Sequence, residues 1–211
     1  IVVEAGSGGP VWLEGLVVQG GLAALAADGG GIYVAGGSVT VHRCKITANT
    51  ATGTVGGGGG GVFLQAGALT IRESTILNNR SYQRGGGVGA RAGTLLMVDS
   101  LVEGNTSTKE GGGVLVNGAS ATLRRNVIRD NSPMGLLVAG GATVADDNTV
   151  EDNQSTGNGG GIGVNGYYPT SLSASRNLIR NNSAVSGGGV GISAGTTTLY
   201  DNDIVGNTAS S

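Results

Sequence analysis

Charge is scarce in this chain, and so are the residues that usually advertise chemistry. Asp, Glu, Lys and Arg make up 12% of it, and the net charge is −2. That leaves no basic footprint for nucleic acid. No Lys/Arg-rich tract suggests an anionic membrane surface, and no apolar run approaches the roughly 18 residues of a membrane span. One Cys excludes an internal disulfide framework. Such thrift fits the cytosol and equally fits an exported protein that avoids cysteine. Three Pro, with no glycine at every third position, exclude collagen. Low net charge with plentiful Val, Ile and Leu excludes a disordered chain. Aromatic residues are only 3%. The chain opens Ile1-Val2-Val3, without initiator Met or signal peptide, and reads as a processed product or a piece of something longer.

What is abundant is glycine, 44 of 211 residues, about three times the ordinary share of roughly 7%. The glycines belong to a repeat. An aliphatic residue followed three positions later by Asn recurs as Ile46/Asn49, Ile76/Asn79, Val102/Asn105, Ile128/Asn131, Val150/Asn153, Ile179/Asn182 and Ile204/Asn207. Val17/Gly20 is a degenerate first copy. Successive copies lie 22 to 30 residues apart. Two positions before each aliphatic residue stand Gly15, Cys44, Ser74, Ser100, Asn126, Asn148, Asn177 and Asn202, all small or polar. Five positions before it stand Trp12, Val41, Ile71, Met97, Leu123, Ala145, Ala174 and Leu199, all apolar, which places Trp12 in the core. A glycine run and an alternating pair such as Ile32/Val34, Val62/Leu64 or Val114/Val116 follow most of the Asn residues. Ile1/Val3 fits as an opening copy. The glycine run is missing near Pro133-Met134, where the alignment is loosest.

Each copy therefore reads as three short strands of period two, separated by turns. A unit this small buries its apolar face only by stacking on its neighbours. The expected fold is all-β: a three-sided, right-handed parallel β-helix of about eight coils, one domain over residues 1–211. Coils about 4.8 Å apart would make a rod about 38 Å long. Inward Asn residues should pass amide hydrogen bonds from coil to coil, and Asn also tolerates the left-handed backbone of tight turns. Both Asn columns belong to this structural ladder: Asn49, Asn79, Asn105, Asn131, Asn153, Asn182 and Asn207, and Asn126, Asn148, Asn177 and Asn202.

These motifs resemble the right-handed parallel β-helix, or pectin-lyase-like, superfamily. More narrowly, they are similar to bacterial surface proteins with GGxV/I and aliphatic-x-x-Asn repeats, among them the polymorphic outer-membrane proteins of chlamydiae. The latter carry Phe where this chain has Ile or Val. The resemblance covers nearly the whole chain. It implies export and a place at the bacterial cell surface. Pectin-active members bind Ca²⁺ through clustered carboxylates and use a basic residue, or pair carboxylates for hydrolysis.

No such constellation can be assembled from this sequence. Asp146-Asp147 is the best acidic candidate, and both residues fall at a turn. Asp147 belongs to an outward column Arg43, Glu73, Asp99, Arg125, Asp147, Arg176, Asp201; a second column reads Glu103, Arg129, Glu151, Arg180. Alternating signs suit a solvated face. Asp130 and Asp152 stack as like charges where a hard cation is conceivable. His42 should face solvent, with no second His or reactive Cys close in the pattern, and Cys44 reads as a small buried filler. The glycine runs lead into strands, not into a helix with Lys, so they are not phosphate loops.

Contact candidates sit on loops, where function collects on rigid scaffolds. They are Tyr167 and Tyr168 in an enlarged turn after Val164, the turn residues Arg80, Tyr82 and Arg84, and Leu22 and Leu25 in an apolar, helix-prone flap over Gly21–Asp28. The expected function is that of a non-catalytic structural or adhesive module of an exported surface protein or filament, with no cofactor and no metal. A polysaccharide lyase or hydrolase, and a glycan- or protein-binding module, are the alternatives. No polar capping repeat is visible beside Ile1 or Ser211, and bare strand edges invite pairing. A like or unlike β-helical chain stacked end to end is the expected partner, with surface glycan as another contact.

Overall fold

The computed structural model describes residues 1–4, 9–24, 28–53, 58–166 and 168–211. They form a parallel β-solenoid of three main ladders, each with one strand per rung and eight rungs. The first ladder runs from Val2–Val3 to Val190–Ile192, the second from Val11–Glu14 to Thr196–Tyr200, and the third from Val17–Gln19 to Asp203–Val205. One strand, Leu136–Asp146, turns the corner between the first two ladders and joins them into a single sheet of 15 strands.

Each rung lies in register on the next. Val41, Ile71, Met97 and Leu123 form one inward file, and Ile46, Ile76, Val102 and Ile128 another. These side chains are essentially unexposed. Burying one Val, Leu or Ile contributes about 1.5–3 kcal/mol, which a single coil could not collect alone.

Two corners flank the third ladder, and both follow one local rule. A left-handed residue turns the chain, and the next residue points inward. Arg43, Glu73, Asp99, Arg125, Asp147, Arg176 and Asp201 turn the first corner with φ of 47–57°; Ala48, Asn78, Asp130, Asp152 and Asn181 turn the second with φ of 51–56°. The left-handed backbone thus falls on the residue before each ladder Asn and not on the Asn itself.

This rule corrects the expected alignment of the first coil. Gly15 and Gly20, at φ 65° and 67°, occupy the two left-handed corners. Val18, not Val17, therefore pairs with Ile46, and Leu13, not Trp12, pairs with Val41. Trp12 points outward and is 64% exposed. Hydrophobicity alone cannot separate Val17 from Val18, whereas the corner geometry does. Asp146 also moves: it ends a strand, and only Asp147 occupies the turn.

A fourth, two-residue ladder adds to the expected three. Leu22–Ala23, Thr50–Ala51, Arg80–Ser81 and Thr106–Ser107 stack in register. The expected flap is overturned at its start, because Leu22 and Ala23 are strand residues paired to Thr50 and Ala51. Pairing with the neighbouring rung satisfies the backbone there better than a short helix would. Leu25 lies outside the described residues. In the shortest coil, five positions separate Asn131 from Leu136, against nine from Asn105 to Val114. That coil turns through a cis Ser132–Pro133 bond and a left-handed Met134, and Leu136 still pairs with Val114 and Ile162.

Candidate functional site

The polar interior is built first. Asn131 Oδ1 accepts from the backbone N–H and the amide of Asn105, at 3.0 and 3.1 Å. Its Nδ2 donates to Val102 O and to Asn153 Oδ1, both at 3.0 Å. The same pattern links Asn49, Asn79, Asn105, Asn131, Asn153, Asn182 and Asn207. A parallel file at the other corner runs Cys44, Ser74, Ser100, Asn126, Asn148, Asn177, Asn202. Cys44 is buried in that file, with Sγ 3.3 Å from the carbonyl oxygens of Leu13 and His42. In the first coil Leu16 and Gly21 take the two ladder positions, and Gly21 N–H donates to Asn49 Oδ1.

Many of the charged residues pair on the outside. Arg125 grips Asp99 through two hydrogen bonds of 2.7 and 2.9 Å, and Arg176 grips Asp147 at 2.8 and 3.1 Å. Arg43 reaches Glu73, Arg129 reaches Glu103, and Arg180 reaches Glu151. His42, expected to face solvent, is instead partly covered. Its Nδ1 lies 3.2 Å from Glu14 and its Nε2 3.5 Å from Glu73, because stacking brings three rungs within reach. Among the described residues no group of three or more His, Cys, Asp or Glu is placed to hold a metal ion.

These pairs set a pH response. Hydrogen bonds from Arg43, Arg125 and Arg176 are the first cause holding Glu73, Asp99 and Asp147 below their ordinary carboxylate values. A depressed folded value contributes stability above the ordinary value, and that stability is lost as pH falls through the folded one. Asp130 shifts upward, first by burial and then by the charge of Asp152; Asp28 shifts upward by burial. Their contributions oppose, being present at acid pH and lost as pH rises. The ordinary values of the three Arg-paired groups set the pH below which their contribution is lost. Melting temperature is therefore expected to fall slightly below about pH 4.5, and less so in high salt, which screens exposed pairs. Melts at about pH 7 and about pH 3.5 with equal midpoints at low salt would contradict this.

The contact candidates fall on separate surfaces. Arg80 lies over the ring of Tyr82, 4.7 Å from its centroid, while Arg84 turns away to Glu110 at 3.2 Å. Tyr168 is 63% exposed and lies beside Gln65, Arg91, Asn117 and Gly118; Tyr167 lies outside the described residues. Leu22 is exposed on the first rung.

A site that the repeat analysis missed lies on the outer face of the first ladder, across rungs 5 to 8. There a groove of about 420 Å³ opens between the Lys109–Glu110 and Ser155–Asn158 turns on one side and Asn165–Gly166 and Ser193–Ala194 on the other. Met134, Leu137, Gly163 and Gly191 are its floor. Two side-chain bridges tie its walls: Asn158 Nδ2 donates to Ser193 Oγ at 2.8 Å, and Asn165 Nδ2 to Glu110 Oε1 at 3.4 Å. The signal was present in the middle residue of each alternating pair, where the outward file ends Leu115, Leu137, Gly163, Gly191.

Fold and corners define a β-helical repeat protein. The family described as right handed beta helix region matches residues 23–144 and 61–211, and the chain belongs to it. No curated protein and no solved structure matches the chain.

Proposed function

We propose that this chain is a non-catalytic structural and adhesive module of an exported bacterial surface protein or filament. One observation carries the reading: among the described residues most ion pairs run from rung to rung along outer files, and of the charged residues the groove lining gathers only Lys109 and Glu110. The described lining of the groove has one carboxylate, Glu110, which stands 3.2 Å from Arg84. Glycoside hydrolysis generally needs two carboxyl groups across the scissile bond. Export and surface location rest on the resemblance of the repeat to bacterial surface proteins.

A β-helical partner chain stacked on a terminal rung belongs to the same proposal. To extend the ladders beyond Asn202 and Asn207, it would bring side-chain oxygens at both corner positions. The first coil of this chain, with Leu16 and Gly21 there, brings none.

The test is incubation with polygalacturonate and alginate, following new reducing ends and unsaturated products. No turnover above buffer is expected. Turnover that Glu110→Gln abolishes would overturn the reading in favour of a lyase or hydrolase. The groove itself favours a second reading, a binding module.

A further inference from the structure

The outer face of the first ladder covers its own floor along most of its length. The ring of Tyr33 stacks on Phe63 with centroids 5.9 Å apart. A Cβ on the bare Gly89 would lie 3.0 Å from the Phe63 ring, so that ring fills the gap. Leu115, Met134, Leu137 and Ala139 then form a small apolar cluster outside the main core. Beyond Leu137 the file has no side chain, at Gly163 and Gly191, and the groove begins. Of these two, Gly163 meets the thioether of Met134, the end of Leu137 and the Asn158 carbonyl oxygen, at 2.9, 3.3 and 3.3 Å from an added Cβ.

A second observation concerns hydrogen bonding. Asn165 spends its Nδ2 on Glu110, which leaves its Oδ1 buried and without a partner. A buried acceptor left unmade is costly, and native structures rarely leave one unexplained.

We infer that the groove takes an extended peptide segment of a partner protein. One aliphatic side chain of that segment sits over Gly163, continuing the file of Leu115 and Leu137, and a backbone N–H donates to Asn165 Oδ1. The thioether of Met134 adapts to the incoming side chain. A peptide supplies the donor and the apolar group within one residue. The floor is methyl and thioether, and no described lining residue is aromatic, which disfavours a sugar ring. Three rung spacings, about 14 Å, hold about four extended residues. Lys109 and Glu110 put one charge of each sign on the rim, the latter beside Arg84, and the apolar floor takes an uncharged side chain.

This inference rests on the non-catalytic contact role proposed above and names its partner chemistry. The test is a titration of the isotope-labelled full chain with acetyl-Ser-Gly-X-Gly-Ser-amide, X being Leu, Ala or Asp, followed by NMR. The Leu peptide should shift amide signals within 157–166 and 191–194. The Ala peptide should bind about fivefold to tenfold more weakly and the Asp peptide not detectably. Asn165→Ala lies outside both ladders and should keep the melting temperature while weakening the Leu peptide about fivefold. Equal response to Leu and Asp, shifts elsewhere, or binding of a neutral oligosaccharide in place of the peptide would overturn the inference. Polysaccharide turnover would end the non-catalytic role without moving these shifts. Silent peptides would end this inference and leave the scaffold role standing.

Discussion

Asn131→Ala is expected to cost about 3–5 kcal/mol, more than most single substitutions. The side chain is buried, and four ladder hydrogen bonds pass through it. Its removal strands the Asn105 N–H and the Val102 carbonyl inside the solenoid, and each such group costs about 1–3 kcal/mol. A methyl group also leaves a void. The control is Asn78→Ala, at an exposed left-handed corner on the surface, where only the backbone preference, about 1–2 kcal/mol at most, is at stake. Urea unfolding would compare them. Because coils touch only their neighbours, amide exchange should also speed up first in the coils on either side of Asn131. Equal losses for the two variants would mean that the amide file is not what holds the rungs in register.

Gly86→Ala is expected to destabilise by about 3 kcal/mol or more, above the ordinary range for overpacking. The φ of Gly86 is not the reason, since it lies outside the left-handed region. An added Cβ would press on the Thr106 carbonyl oxygen and lie 2.5 Å from the Gly112 oxygen. Both belong to the next rung, and backbone can yield only by parting the rungs. Gly20→Ala is the contrast. Nothing lies within 4 Å of its added Cβ, and φ is 67°, so the cost is the left-handed penalty alone, about 1–2 kcal/mol. Thermal melts of the two variants test this. A mild Gly86→Ala would show that the rungs separate more readily than their spacing suggests.

The repeat was legible because stacking copies one coil's chemistry onto the next. Ile46, Ile76 and Val102 share a column in the sequence for the same reason that they share one in space. Legibility failed where that redundancy thins. In the first coil two adjacent valines, Val17 and Val18, made the register ambiguous by one residue, and Trp12 was turned inward by the slip. At Leu22 an apolar stretch suggested a helix, although the neighbouring rung offered its backbone a ladder. The groove escaped because it is made by the residues that the repeat ignores: outward middles of short strands and irregular turns such as Ser155–Asn158 and Asn165–Gly166.

By itself, the sequence determined the period, the inward files, the two polar corner files and the alternating charges outside. Each is a one-dimensional pattern that a solenoid maps directly onto rungs. Only the tertiary structure decided which residues turn the corners, that His42 reaches two carboxylates, and that Asn165 and Glu110, 55 positions apart, meet across a groove. Those outcomes depend on distances between rungs and on how unequal turns fold over the outer face, and no period in the chain encodes them.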